Sequence, residues 1–415
     1  MDKARPFCID KREVWEAYKR IKANRGAAGV DGQSIAEFEE DLSNNLYRIW
    51  SRMSSGSYFP PAVLRVEIPK DNGAGVRPLG IPTVSDRIAQ MVVKRYLEPK
   101  LEEHFHNDSY GYRPGRSAHE ALYVARSRCW KYDWVLDLDI KGFFDNIDWE
   151  LMMRAVRHHT DCKWVLLYIE RWLRAPVSIP DGTLMSREKG TPQGSVVSPV
   201  LANLFLHYAF DCWMSKNHPD VPFERYADDV ICHCRSEAQA RSLRDALEAR
   251  LATCKLELHP QKTKIVYCKD ANRRGSYPQQ AFDFLGYTFR PRRSKNCHGR
   301  LFTSFAPAVS NKAAKAMRQR MRGWRVQRRT DLSLDELAQG VRSVVRGWVQ
   351  YYAKFYPSAL RCALRTLDHA LVRWAKRKYK RLRGHTKRAW GWLKSVRARQ
   401  PNLFPHWVPV STVGR

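Results

Sequence analysis

Asp228 and Asp229 stand side by side in F-E-R-Y-A-D-D-V-I-C-H-C, residues 223–234, with apolar and aromatic neighbours on both sides. Like charges in such surroundings repel one another and lose hydration, so the pair calls for a cation. Alternation through Phe223 and Arg225, then through Val230, Ile231 and Cys232, predicts two short strands. A tight turn that favours aspartate would join them and present both carboxylates at its tip. Carboxylate oxygens are hard ligands suited to Mg²⁺, and two such ions roughly 3.5 to 4 Å apart serve in-line nucleotidyl transfer. An acidic pair in a turn is more often simply solvated, so this chemistry needs partners elsewhere in the chain.

Two other stretches supply them. Residues 134–148 read W-V-L-D-L-D-I-K-G-F-F-D-N-I-D, a strand-like run with Asp137 and Asp139 two apart and therefore on one face. Residues 190–203 read G-T-P-Q-G-S-V-V-S-P-V-L-A-N, a Pro and Gly turn that leads into an apolar run able to form a buried helix. Gln193 and Gly194 in that turn could meet a flat base pair.

Together these residues resemble the reverse transcriptase family, whose metal-binding hairpin carries Y-A-D-D or a close relative. The resemblance implies that Asp139, just before I-K-G-F-F, and the pair Asp228 and Asp229 are catalytic, with Asp137 the alternative for the first position. It implies two Mg²⁺ ions held by Asp139, Ile140, Asp228 and Asp229. Phe144 falls on the aromatic gate that crowds the sugar 2′ position and favours deoxynucleotides, although an ordinary core phenylalanine fits the spacing equally well.

Length and charge bound the same reading. A chain of 415 residues is long enough for two or more sub-domains with a sizeable core. Its 73 Lys and Arg against 42 Asp and Glu give a net charge of +31, a field that favours polyanions and makes binding salt-dependent. Nucleic acid is the expected partner. No long uncharged apolar run and no secretory leader is present, so a membrane is not expected and a bacterial cytoplasm is. Ten cysteines without a C-x-x-C spacing fit reduced thiols rather than zinc.

The elements that must position the carboxylates follow in order. Residues 10–56 show helical spacing, broken by a glycine-rich loop at 24–32 that lacks the Gly-Lys-Ser or Gly-Lys-Thr ending of a phosphate loop. Arg25 there is a candidate RNA contact, as the resemblance to group II intron proteins implies for this extension. Residues 57–82 predict a hairpin whose turn is flanked by Lys70 and Arg77, candidate clamps for a nucleotide triphosphate. An amphipathic helix is expected over 85–106. The loop S-Y-G-Y-R-P-G-R-S-A-H, residues 109–119, mixes aromatic and basic residues as a template contact would, with Arg113 and Arg116 as candidates. Further helices are expected over 151–174, 203–213 and 237–254. Lys262 could supply a proton to departing pyrophosphate, or be an ordinary exposed lysine. The run 282–289, F-D-F-L-G-Y-T-F, resembles a primer grip, with Leu285, Gly286 and Tyr287 at the primer end.

Beyond residue 305 basic residues far outnumber acids, with tryptophan and tyrosine interspersed. Ser333 and Glu336 form a capping-box pattern ahead of a stripe through Leu337, Val341 and Val344, and a second stripe runs Leu360, Leu364, Leu367, Leu371, Trp374. The opposite faces carry Arg342, Arg346, Arg373, Lys376, Arg377 and Lys380, candidate RNA contacts. With R-G-W-V-Q-Y-Y at 346–352 and F-P-H-W at 404–407, this region resembles the helical thumb, or maturase domain, of group II intron proteins, without the zinc-bearing endonuclease that some carry.

The expected fold is α+β, a right-hand polymerase with fingers and a palm of antiparallel sheet backed by helices, followed by an all-helical thumb. The boundaries drawn from the sequence are 1–56 for the N-terminal extension, 57–305 for fingers and palm, 306–400 for the thumb and 401–415 for the tail. The expected function is RNA-directed DNA synthesis, with group II intron RNA, an RNA template with a DNA primer, target DNA and deoxynucleoside triphosphates as partners, and with help to splicing and copying of the intron into DNA. Two rivals are an intron-independent reverse transcriptase of defence or DNA repair and a splicing factor without polymerase activity.

Overall fold

Helices open the chain because its apolar residues recur at three and four. In the computed structural model, which describes residues 6–69, 75–296 and 298–408, these are α1 (Lys11–Asn24), α2 (Ile35–Glu40) and α3 (Leu42–Ser55). Val14, Ala17, Tyr18 and Ile21 bury one face of α1, and Asp10 caps it by accepting from Arg12 N at 2.8 Å. The expected hairpin is β1 (Val63–Pro69) and β2 (Val76–Ile81), antiparallel with Ile68 opposite Arg77. Its turn, and with it Lys70, lies outside the described residues. Helix α4 (Val84–Glu102) is capped by the Thr83 hydroxyl, which accepts from Asp86 N.

There follow α5 (Ala118–Cys129), β3 (Trp134–Asp139), α6 (Phe143–Asn146), α7 (Trp149–His159), α8 (Lys163–Arg174), β4 (Val177–Ser178), β5 (Leu184–Met185) and α9 (Ser198–Leu206). The helix expected through 203–213 is not regular. It widens into a π-helical turn at His207–Asp211 before α10 (Cys212–Asn217), and Arg250 donates to the carbonyls of Tyr208 and Ala209 in that turn, which supplies the partners a wider helix loses. Strands β6 (Phe223–Tyr226) and β7 (Asp229–Cys234) form the hairpin, and α11 (Glu237–Thr253) buries Ala240, Leu243, Leu247 and Leu251.

Two compact units result, the first from residues up to Ala121 and from Leu136–Thr263, the second from Leu122–Val135 and from Lys264 onward. In the first, one sheet runs β2-β1-β4-β5, and β6, β7 and β3 lie side by side in that order. Leu136, Leu138, Val230, Ile231 and Cys232 are buried within these last three strands.

The second unit contains β8 (Lys264–Tyr267) and the antiparallel sheet of β9 (Phe282–Phe284), β10 (Tyr287–Lys295) and β11 (Leu301–Val309). Four helices follow, α12 (Asn311–Gly323), α13 (Leu334–Tyr352), α14 (Pro357–Lys378) and α15 (Thr386–Arg399). The capping box at Ser333 and Glu336 is formed. Leu360, Leu364, Leu367, Leu371 and Trp374 are all buried. On α13 the fully buried valine is Val345 rather than Val344, because burial there keeps the four-residue step from Leu337 and Val341. Val309 shares one core with these helices, and the compact unit that holds them takes in the chain from Lys264, well before the residue at which the composition turns basic. The fold is α+β, with sheet layers backed by helices and a helical C-terminal region. Among the described residues no helix is long and apolar enough to cross a membrane.

Candidate active site

The Y-A-D-D stretch forms a two-residue turn. Tyr226 pairs with Asp229 across the hairpin, and Ala227 takes a positive φ of 58° that a tight hairpin turn requires. Burial pushes the Asp228 carboxyl above its usual range, the negative charge of Asp139 adds to the rise, and Arg77 and Arg225 oppose it. Asp139 and Arg77 are therefore both near enough for their charges to act on the Asp228 carboxyl. Asp139 ends β3, and its carbonyl accepts from His259 N at 2.7 Å while Ile140 pairs with Leu258. That pairing brings Lys262 Nζ to 2.6 Å from Asp139 Oδ2, an oxygen that is buried and accepts no well-angled hydrogen bond.

This is a site with room in its chemistry for a divalent cation. One buried carboxylate oxygen is met by the Lys262 ammonium alone, a second carboxylate is held in a charge-disfavouring place, and the two repel one another. Among the described residues no three acidic, imidazole or thiol side chains already surround one point. Mg²⁺ characteristically takes one or two carboxylates and completes its shell with water and substrate phosphate, which fits Asp139, Asp228 and the main chain at Ile140. Asp229 begins β7 and is half-buried beside them.

The turn is held from behind by a group that sequence patterns did not single out. Arg225, completely buried, donates Nε to Asp211 Oδ1 at 2.7 Å and Nη2 to Oδ2 at 2.5 Å, and its Nη1 reaches Asn203 Oδ1 at 2.9 Å and the Ala227 carbonyl at 3.1 Å. Asn203 Nδ2 in turn donates to the Gly111 carbonyl at 2.6 Å. A Cβ at Gly111 would meet Ala227 N at 2.3 Å, so only glycine lets this loop lie against the turn. The signal was an arginine inside the short strand F-E-R-Y, but its partners lie far away in sequence.

The loop at 190–194 is fixed in the same way. Gly80 N of β2 donates to the Gln193 carbonyl at 2.7 Å, and Thr191 N donates to the Phe144 carbonyl at 2.8 Å. Phe144 is half-buried on α6 against Phe143. Gln90 Oε1 accepts from Val196 N at 2.8 Å and from Val197 N at 3.3 Å, while its Nε2 donates to Asp86 Oδ2 at 2.9 Å. Asp86 Oδ1 accepts from Trp172 Nε1 at 2.7 Å and Tyr58 Oη at 2.9 Å. Burial pushes the Asp86 carboxyl up to about 6 in spite of these three donors. A raised carboxyl pKa means the fold favours the protonated form, so this contribution to stability is full below about pH 4 and is lost as pH rises through about 6. Asp86→Asn removes the titration. The difference in unfolding free energy between parent and variant, read by urea denaturation, should shift by about 2 kcal/mol against the parent between pH 4 and pH 7. A difference independent of pH would contradict this.

Arg113 has a different job from the template contact expected of it. Its guanidinium is enclosed, paired with Glu102 at 2.9 Å and donating to the His106 and Ser109 carbonyls at 2.7 Å, because the loop needs a donor to close on itself. Arg116 stays half-exposed over the Tyr110 ring, and Arg25 is exposed at the end of α1.

In the second unit, Leu285 and Gly286 form the turn between β9 and β10, both at positive φ. Tyr351 Oη donates to the Leu285 carbonyl at 2.9 Å, Tyr287 Oη donates to the Tyr351 carbonyl, and a Cβ on Gly286 would sit 2.8 Å from Tyr352 Oη. The Q-Y-Y end of α13 thus clamps this turn. Gly286→Ala should cost about 1–3 kcal/mol, read as a lower melting temperature, and adding Tyr352→Phe should return part of the loss by removing the clashing oxygen. An unaffected melting temperature would show that the turn relaxes freely. Arg342, Arg346, Arg373, Arg377 and Lys380 are exposed on α13, α14 and the turn after it, and Lys376 is half-exposed with its ammonium 2.8 Å from Thr386 Oγ1.

Known proteins share this organisation. Residues 68–289 match the profile of the reverse transcriptase (RNA-dependent DNA polymerase) family, and residues 314–390 match the maturase-specific domain of group II introns. The chain is 30% identical to protein YkfC of Escherichia coli over 320 residues, 68% of this chain and 81% of that protein. It is 34% identical over 193 residues to the group II intron-encoded protein LtrA of Lactococcus lactis, covering 46% of this chain and 32% of LtrA. A putative COX1/OXI3 intron 1 protein of Saccharomyces cerevisiae is 24% identical over 272 residues, 65% of this chain and 32% of that protein. The chain therefore spans most of YkfC and about a third of the two intron proteins. The first match covers the hairpin, the strand end at Asp139 and the Gln193 loop alike, and on it the chain belongs to the reverse transcriptase family, with a group II intron maturase-specific domain after its polymerase region.

Proposed function

We propose that this chain extends a DNA primer on an RNA template, binds group II intron RNA to assist its splicing, and copies the intron into target DNA. The observation that supports the polymerase reading is that the charges of Asp139 and Arg77 both act on the largely buried Asp228 carboxyl, while Lys262 Nζ lies 2.6 Å from Asp139 Oδ2 as a cation would. Asp139, Asp228 and Ile140 would hold two Mg²⁺ ions, with Asp229 in support. When bound, the ions lower the pKa of the primer hydroxyl and stabilise the leaving pyrophosphate.

The chain's own residues do the rest. Arg77, with Lys70, holds the triphosphate of an incoming deoxynucleotide and offsets charge that builds there. Lys262, which neutralises Asp139 before substrate arrives, is placed to give a proton to the departing pyrophosphate. Phe144 crowds the sugar 2′ position, and Gln193 with Gly194 supports the nascent base pair. Leu285, Gly286 and Tyr287 grip the primer, and Arg116 and Arg25 hold template RNA.

The basic helical region supports the RNA-binding role. A cavity of about 320 Å³ there has Arg361, Arg365, Lys394 and Arg397 beside Trp390, with Asp368 also in its lining, and its excess of positive charge suits phosphates. We assign residues 1–56 to the N-terminal extension, 57–305 to fingers and palm, 306–400 to the thumb and 401–415 to the tail, in a protein of the bacterial cytoplasm. The test is extension of a DNA primer on an RNA template by purified protein with Mg²⁺ and deoxynucleotides, beside splicing of the intron RNA. Product complementary to the template is expected. RNA binding and splicing with no DNA product would leave the splicing-factor reading in its place.

A further inference from the structure

A second cavity opens between helices α7, α9 and α11 of the first unit, with a volume of about 690 Å³, and shares no residue with the carboxylate site or the Gln193 loop. That volume lies within the range of small-molecule sites. Its floor is apolar and aromatic, formed by Ala155, Phe205 and Ala209 with the ring of Tyr208. Tyr208 Oη is engaged with His159 Nε2 at 2.7 Å, which fixes the ring. The rim is cationic. Arg154 and Arg157, one turn apart on α7, are exposed, and their side chains make no ion pair or hydrogen bond with the described residues. Arg250 of α11 also lines the cavity, held by its bonds to the carbonyls of Tyr208 and Ala209 at 2.9 and 3.1 Å and to Thr253 Oγ1 at 3.3 Å, and no carboxylate lines the cavity.

The π-helical turn marks the same place independently. Such turns are rare, are costly to the helix ladder and concentrate at functional sites. This one supplies Tyr208 and Ala209 to the floor and orients Arg250, so the irregularity builds the cavity.

We infer that this cavity binds a nucleotide, its planar base against Tyr208 and Phe205 and its phosphate between Arg154, Arg157 and Arg250. A flat heterocycle suits aromatic walls, and paired guanidinium groups suit phosphate oxygens. The nucleotide could be free or an unpaired residue of a bound RNA strand, since the two present the same chemistry. Binding here needs neither metal nor primer, so it can fail while the polymerase reading stands.

The test is photolabelling of the full chain with 8-azidoadenosine 5′-monophosphate, without magnesium, primer or template, followed by mass spectrometry of the labelled peptides. Label is expected in segments 149–159 and 205–209. Arg154→Ala with Arg157→Ala should lower it at least tenfold, and Ala155→Trp, which fills the cavity and keeps both arginines, should do the same, with melting temperatures confirming that each variant folds. Unlabelled AMP should compete and adenosine should not. Competition by a short single-stranded RNA at far lower concentration than AMP would assign the site to an RNA nucleotide, and equal or better competition by AMP to a free one. Label confined to peptides around Asp228, or label unchanged in both folded variants, would overturn the inference.

Discussion

Asp228→Asn should lower single-nucleotide incorporation on an RNA template by at least about a thousandfold, on the order of 4 kcal/mol of barrier, while RNA affinity stays within about twofold. The amide keeps the shape of the carboxylate and removes the charge that would hold a divalent ion. A second readout separates this from mere damage to the fold. Burial and the charge of Asp139 already hold the Asp228 carboxyl above its usual range, so the ionised group is a burden on the metal-free protein at neutral pH. The neutral variant should therefore melt no lower than the parent, and a stability gain bought with lost activity is the expected signature of a functional carboxylate. Loss of both activity and stability would instead make Asp228 a structural residue.

Arg225→Met should have the largest effect on stability, about 3–5 kcal/mol in urea unfolding of the full chain. The substitution leaves Asp211 charged and buried with the other side of a bidentate pair gone, and it strips a donor from Asn203 and from the Ala227 carbonyl in the turn. Arg225→Lys should recover only part of this, since one ammonium cannot reproduce the planar fork that serves Asp211, Asn203 and Ala227 together. Adding Asp211→Leu to Arg225→Met should recover more, because it removes the stranded charge. A loss below about 1 kcal/mol for Arg225→Met would show that the pair is dispensable and that the turn is held by the strands alone.

What the sequence made legible was local in character. The hairpin, the helix caps at Ser333 and the stripes on α11 and α14 depend on residues within a turn or two of one another, and periodicity finds them. The carboxylates could be singled out because acids within apolar strands are costly unless they act on something. Long-range polar partnerships were not legible. Arg113 looked like a nucleic-acid contact because its loop is basic and aromatic, and only the fold shows that Glu102 and two carbonyls enclose it. Arg225 read as a strand residue, and Asp86 and Gln90 as members of an amphipathic helix, until the elements carrying Asp211, Trp172 and Val196 came alongside. The π-helical turn depends on Arg250, more than a helix away, and no local pattern announces it.

The most direct measurement of the central claim, that catalysis resides where β3 ends beside the β6–β7 turn, is cleavage of the protein itself by bound Fe²⁺ in place of Mg²⁺. With hydrogen peroxide and ascorbate added, Fe²⁺ at the site would reduce peroxide to hydroxide and hydroxyl radical, which cuts the nearest main chain, and ascorbate would return the Fe³⁺ to Fe²⁺. Cuts are expected around Asp139–Ile140 and Ala227–Asp229, suppressed by excess Mg²⁺ and absent from an Asp139→Asn, Asp228→Asn variant that still binds RNA. Cuts elsewhere, or the same cuts in the variant, would contradict the account.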